Sequence, residues 1–227
     1  MPQILDKVSI FSDLNEKKLK ALEACLIKRK YAKGQVVFHK GDESGGLYIV
    51  KTGRVKVFLP STQGEEIILA ILSSGEIIGE LSLLDNTKRS ATISVIEDCE
   101  VLYLSRNDFL NFLATDFDAV LNLFSMITKR LRDTNDQLEE SYFLDITSRI
   151  ARKILALSKQ FGVEEKGIIR IAVKITQKDL AAMIGATRES VNKQLSLLKK
   201  NGLIERENGY ITILNLERLT RRARSSP

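Results

Sequence analysis

Apolar and polar positions change rhythm several times along the 227 residues. Between residues 12 and 30, Leu19, Leu22 and Leu26 recur at helical spacing behind Ser12 and Asp13, either of which can cap. This predicts a short amphipathic helix. From Gln35 to Leu104 the pattern shortens to QVVF, GLYIV, RVKVFL, EEIILAIL, ATISVI and CEVLYL, rich in β-branched residues and separated by Gly, Asp, Ser and Asn. Many short strands at this spacing predict an antiparallel sandwich or jelly roll. Gly34, Gly41, Gly53, Gly64 and Gly75 fall between the runs, where turns call for positive φ.

A single long helix is predicted from near Asp108 through Tyr142. Within it Phe117, Val120, Phe124, Ile127, Leu131, Thr134, Leu138 and Ser141 alternate at spacings of three and four, the seam of a coiled coil. Alone, such a helix would leave its apolar stripe in water, so a parallel two-fold homodimer is the expected arrangement. The seam turns polar at Thr134, beside Asn135. Asp145 can cap a second amphipathic helix, Ile146–Phe161, which makes Tyr142–Asp145 the candidate hinge. Residues 162–167 read as a loop. Three regions follow: 1–115, 116–144 and 145–227.

The last region carries the strongest local signal, ITQKDLAAMIGATRESVNKQLSLLKKNGLIERENGYITI. Thr176 with Asp179 starts a short helix as a capping box, with the acid near the positive helix end. Leu180, Ala181 and Ile184 form its inner face, and Gly185 permits a tight turn. Thr187 caps a second helix with Val191, Leu195 and Leu198 pointing inward, ended by Asn201 and Gly202. Residues 204–206, Asn208–Gly209 and 210–213 form a hairpin. Helix, glycine, helix and wing make a winged helix-turn-helix, whose second helix offers its N-terminal side chains to base edges in the major groove. Those are Arg188, Glu189, Asn192 and Lys193. Arg and Lys donate to guanine O6 and N7, and Glu accepts from cytosine N4.

Charge agrees with that placement. Residues 145–227 hold 17 Lys and Arg against 8 Asp and Glu, whereas residues 1–144 hold 18 against 21, so the net +6 comes wholly from the last third. A basic module beside a mildly acidic one is the electrostatic footprint of a nucleic-acid-binding protein.

A second motif, IGELSLLDNTKRSAT, spans Ile78–Thr92. Gly79 opens a turn, Glu80–Leu81–Ser82, whose amides and Ser82 hydroxyl can face an anion. Arg89 can pair with a phosphate by a charge-assisted fork, and Ser90 can donate a hydroxyl. Glu80 is suited instead to a ribose hydroxyl. That division of labour fits a cyclic nucleotide.

Together the two motifs resemble the CRP/FNR family of bacterial transcription regulators, over nearly the whole chain. The resemblance implies an α+β architecture: an N-terminal β jelly-roll cyclic-nucleotide-binding domain, a long dimerisation helix and a C-terminal winged helix-turn-helix. It implies cyclic AMP as allosteric effector, held by Gly79, Glu80, Leu81, Ser82, Arg89 and Ser90, with Leu69 and Ala70 lining the nucleotide. Thr134 and Asn135 stand at the positions that meet adenine, the second commonly a serine. Arg130, one turn earlier, could pair with Glu80 and tie the pocket to the helix. It further implies DNA contact through Thr176, Gln177, Thr187, Arg188, Glu189, Ser190, Asn192 and Lys193 on double-stranded DNA with pseudo-palindromic, TGTGA-like half-sites, and RNA polymerase as a partner. Lys193 stands where arginine is common, keeping the charge without the bidentate fork.

Alternatives are narrowed by what is scarce. No apolar run approaches the roughly 20 residues of a membrane span, and the N-terminal residues lack a signal-peptide pattern, so a cytoplasmic regulator is expected with no membrane partner. Cys25 and Cys99 have no metal-ligand spacing, and His39 alone at a strand end supports neither haem nor a catalytic triad. No metal and no enzymatic activity are expected. A regulator of the same kind answering to another effector, or constitutively active, is the alternative reading. The basic tail ERLTRRARSSP is read as a short helix that frays.

Overall fold

In the computed structural model, residues 2–165 and 167–224 are described. Two compact units divide between Arg132 and Asp133.

The first unit opens with α1 (Pro2–Leu5) and α2 (Glu16–Cys25). The cap of α2 is Asn15, whose Oδ1 accepts from the Lys18 amide at 3.0 Å, not Ser12 or Asp13. Ser12 instead donates to the Ser9 carbonyl and closes a preceding 3-10 turn. The predicted helix also ends early, because Ile27–Tyr31 is strand β1. Its sequence, IKRKY, is charged on the exposed side, and only antiparallel pairing with a strand some 70 residues later makes it β.

The strands β2 (Val36–Phe38), β3 (Gly46–Pro60), β4 (Glu66–Leu72) and β5 (Ile77–Ile78) follow, then α3 (Leu81–Leu84) and β6 (Thr92–Ser105). All pair antiparallel in one sheet of order β1-β6-β3-β4, with β2 also on β6 and β5 on β3. Four of the sequence runs are halves of two long strands: GLYIV joins RVKVFL in β3, and ATISVI joins CEVLYL in β6. The register shifts at Thr52–Val55 bend β3 where the runs meet. Gly53 sits there with φ +81°, and a Cβ on it would lie 2.2 Å from the Asp98 carbonyl oxygen. Two apolar clusters fill this unit. One gathers Phe11, Leu47, Ile49, Leu104 and Phe109; the other gathers Phe38, Tyr48, Val55, Ile78 and Val101.

The predicted single helix is two, α4 (Arg106–Thr115) and α5 (Phe117–Phe143), meeting at 115°. Asp116 makes the corner in extended backbone. Its carboxylate accepts from the Ala119 amide, capping α5, and pairs with Lys18 at 2.7 Å. The break is thus fixed by a partner 98 residues away, with no Pro or Gly to announce it. On α5, Ala119 and Leu123 are buried, whereas the seam residues Phe117, Phe124, Leu131 and Leu138 are exposed.

In the second unit, α6 (Ile146–Phe161) is capped by Asp145, which accepts from the Ser148 amide at 2.6 Å. The expected loop after it is a hairpin of β7 (Gly162–Glu165) and β8 (Ile168–Ile171), formed because β8 continues a sheet with the wing; Lys166 lies outside the described residues. Then come α7 (Gln177–Ile184), α8 (Arg188–Lys200), β9 (Ile204–Glu207), β10 (Tyr210–Ile213) and α9 (Leu216–Arg224). The basic tail is therefore packed helix up to Arg224 and not a fraying end. Leu219 and Ala223 are buried, Ser148 donates to the Arg222 carbonyl, and Arg222 pairs with Asp145 at 2.7 Å. Ser225–Pro227, also assigned to that tail, lie outside the described residues.

Candidate functional site

The cassette between β5 and β6 is organised around Arg89, which is only 4% exposed. Two backbone bonds hold its main chain against the Gly41–Asp42 turn: Gly41 donates to the Arg89 carbonyl and Arg89 to the Asp42 carbonyl. Its guanidinium donates through Nη1 to the Gly79 carbonyl at 2.7 Å and to Ser82 Oγ at 3.0 Å, and through Nη2 to the Gly46 carbonyl at 2.5 Å. One face of the group lies over the Phe38 ring, 4.2 Å from its centroid. Gly79 permits this approach. Its φ is +85°, and a Cβ there would stand 2.3 Å from Arg89 Nη1.

Among the described residues no carboxylate pairs with this buried arginine. Its hydrogen bonds end on two carbonyls and a hydroxyl, and its Nε is buried with no partner. Burial pushes the guanidinium below its ordinary basicity, opposed by the neighbouring phenols of Tyr48 and Tyr103 and by the more distant charges of Glu80 and Asp42. Burying a cation unpaired costs several kcal/mol, which an anionic ligand offsets. The donor set therefore fits a phosphate.

Glu80, 2% exposed, is not bonded to Arg89 directly. It accepts from Arg130 Nη1 at 2.5 Å, and Arg130 Nη2 reaches the Ile77 carbonyl at 2.7 Å, so the anticipated Arg130–Glu80 pair is formed. Ser82 donates to Ser44 Oγ at 3.0 Å and is buried. Ser90 and Leu81 are exposed. Leu69 and Ala70 lie half-buried on β4, with Leu69 at a bulge opposite Val57–Phe58. Thr134 and Asn135 lie exposed on α5, in the second unit. Phe38 and the Gly46 carbonyl were not foreseen, because strand pairing and not spacing brings them to Arg89; nor was Ser44, in the loop before β3, which reaches Ser82. His39 is exposed, and its amide donates to Asp42 within the turn.

The second site is built by caps. Thr176 and Asp179 form a complete capping box at α7, and Gly185, at φ +64°, ends that helix in the left-handed region. Thr187 caps α8 by accepting from the Ser190 amide at 3.2 Å. Each cap stabilises its helix by about 1 kcal/mol. Val191, Leu195 and Leu198 are buried, so the opposite face of α8 projects outward. That face holds Arg188, Glu189, Asn192 and Lys193, all exposed. Among the described residues Arg188, Glu189 and Lys193 make no ion pair. Gln177, at the start of α7, donates to Asn192 Oδ1. The wing turn uses Asn208 (φ +50°) and Gly209 (φ +85°), and the Gly209 carbonyl accepts from the Ile175 amide. Beside it Arg170 stacks on Tyr210 at 4.6 Å with Lys174 nearby, a basic cluster that sequence spacing did not reveal.

A buried arginine beside a bulged antiparallel sheet and an exposed, capped helix after a glycine turn also match a known pair of modules. The family model for the cyclic nucleotide-binding domain matches residues 28–116, and that for the Crp-like helix-turn-helix domain matches residues 148–222. A CRP-like cAMP-activated global transcriptional regulator of Mycobacterium tuberculosis is 32% identical over 224 residues, covering 99% of this chain and all of that one. The chain belongs to the CRP/FNR family of transcription regulators. A cyclic AMP receptor protein of Thermus thermophilus is 33% identical over 82% of this CRP/FNR regulator and 83% of its own length. Among solved structures, a c-di-GMP-responsive global regulator of Xanthomonas campestris is 25% identical with a TM-score of 0.77, covering 88% of this chain and 100% of that one. The family is one of regulators, not enzymes, and its helix-turn-helix binds DNA. The jelly-roll sensor, long helix and winged helix-turn-helix expected from the sequence are the architecture observed.

Proposed function

We propose that this CRP/FNR regulator is a cytoplasmic homodimer whose affinity for DNA is controlled by cyclic AMP. In this reading residues 1–115 sense the nucleotide, 116–144 dimerise and hinge, and 145–227 bind DNA. The observation that carries it is Arg89, a buried cation with a free Nε and no carboxylate partner. Arg89 and Ser90 take the phosphate, while Glu80, steadied by Arg130, takes the ribose hydroxyl. Leu81 and Ser82 close the cradle above Gly79, Leu69 and Ala70 line the sugar and base, and Thr134 and Asn135 meet the base.

The exposed seam of α5 supports dimerisation, since its apolar stripe is unsatisfied in one copy. Nucleotide bound preferentially to one arrangement of the dimer shifts the population toward it. In that arrangement two copies of α8 address pseudo-palindromic, TGTGA-like half-sites through Arg188, Glu189 and Lys193, with Thr176, Gln177, Thr187, Ser190 and Asn192 around them. RNA polymerase is the downstream partner. The Mycobacterium tuberculosis and Thermus thermophilus relatives, by their names, favour cyclic AMP.

A second effector reading rests on the Xanthomonas campestris neighbour, described as responsive to c-di-GMP. Calorimetric titration of the full chain with cyclic AMP, cyclic GMP and cyclic di-GMP separates them. Micromolar binding of cyclic AMP alone supports the proposal. Tight binding of the dinucleotide instead, or of none of the three, overturns cyclic AMP control and leaves DNA binding in place.

A further inference from the structure

Asn192 differs from the other readers on α8. Arg188, Glu189 and Lys193 extend into solvent, but the Asn192 amide is already oriented by a neighbour. Its Oδ1 accepts from Gln177 Nε2 at 2.5 Å, a bond that crosses from the first residue of α7 to the exposed face of the recognition helix. Asn192 stands four residues after Arg188 and three after Glu189, so it shares their face.

A carboxamide is planar, with its acceptor on one side and its two donors on the other. Asparagine reads adenine with both at once, accepting from N6 and donating to N7. That edge-on pose needs oxygen and nitrogen turned together toward the base. Here the oxygen is turned toward α7, which leaves the NH2 group as the part of Asn192 free to face the groove. Guanine offers N7 and O6 to such a donor and thymine offers O4; adenine offers N7 alone, beside an N6 donor that would face the amide's own donors, and cytosine offers only its N4 donor.

We infer that Gln177 sets base specificity through Asn192: by holding the amide oxygen it makes Asn192 a donor-only reader, selecting guanine or thymine in place of bidentate adenine. Gln177 is thus a positioning residue for a neighbour on another helix. The inference rests on α8 being the base-reading helix, and it is independent of the effector.

Selection of bound sequences from randomised duplex DNA tests it, using the full chain with and without saturating cyclic AMP, and the variants Gln177→Ala and Asn192→Ala. Asn192 is exposed and Gln177 half-buried, and unchanged melting temperatures check that the variants fold. Wild type is expected to enrich guanine or thymine at one position of each half-site, and Asn192→Ala to flatten that position alone. Gln177→Ala frees the amide to rotate, and the same position shifts toward adenine by about fivefold or more. Preference for adenine or cytosine in wild type overturns the inference. So does a Gln177→Ala profile identical to wild type, or an Asn192→Ala profile flattened nowhere. If no sequence is enriched under either condition, α8 does not read bases and the inference falls with that reading. Enrichment that ignores cyclic AMP removes the effector proposal while the Asn192 result stands.

Discussion

The two sites hold their arginines in opposite states. Arg89 is buried, its fork turned on protein carbonyls and its face on an aromatic ring, while Arg188 stands in solvent beside exposed Glu189 and Lys193. The first is built by the fold itself, and folding of the sheet bears the cost of burying a cation. The second has no such cost: its exposed charges stay hydrated in the free protein, and on the proposed reading the basic unit as a whole would gain on DNA largely through counterion release. Affinity for a small anion should therefore respond little to salt, and affinity for DNA steeply.

The largest test of that contrast is Arg89→Leu. It should lower cyclic-nucleotide affinity at least about a hundredfold, roughly 3 kcal/mol, read by calorimetry, because a charged fork in a closed site is lost. Binding of non-specific DNA should not change. Retention of nucleotide binding would mean that the buried cation is structural, and the contrast would collapse. Next in size, Arg188→Ala should cost about 1–3 kcal/mol on a specific site, measured by fluorescence anisotropy, with no change in melting temperature. An equal loss on random DNA would assign Arg188 to phosphate instead.

A smaller effect concerns a half-buried carboxylate in the second unit. Burial raises the Asp145 carboxyl, but bonds from Arg222 and Ser148 outweigh it and hold the group below the usual carboxylate range. That stability is complete above the unfolded value near 4 and is lost as pH falls through the lower folded value. Asp145→Ala should cost about 1 kcal/mol at neutral pH, the scale of a helix cap, and should flatten the acid limb of the melting profile. The smallest effect tests how closed the sensor core is. Burial pushes the Cys99 thiol up to about 11, whereas Cys25 is exposed. Alkylation at pH 8, followed by mass spectrometry, should modify Cys25 alone in the folded chain.

The contrast also governs what could be read from sequence. The helix-turn-helix was legible almost residue by residue, because its signals are local: Thr176 with Asp179, Gly185, Thr187, then Asn208–Gly209 in the wing. The cassette was legible at Gly79, Glu80 and Arg89, yet Phe38 and Gly46 reach Arg89 only through pairing of β2 and β3 with β6. The same physics hid β1, whose IKRKY acquires its conformation from β6, and the corner at Asp116, whose partner Lys18 lies on α2. The β7–β8 hairpin was missed because β8 gains its place from β10, more than 40 residues later. Spacing reveals what neighbours in the chain decide; long-range pairing decides the rest.

Gly79 offers a means of sorting other chains of this fold. Any side chain there meets the Arg89 guanidinium at 2.3 Å, in a backbone conformation that L-residues seldom adopt. A relative with alanine or larger at the equivalent of Gly79 cannot keep an arginine fork in this pose, whatever residue its own cassette retains at 89. Such a chain would have to carry its guanidinium elsewhere, so this one position decides whether an arginine at 89 can keep the bonds it makes here to the Gly79 carbonyl and Ser82.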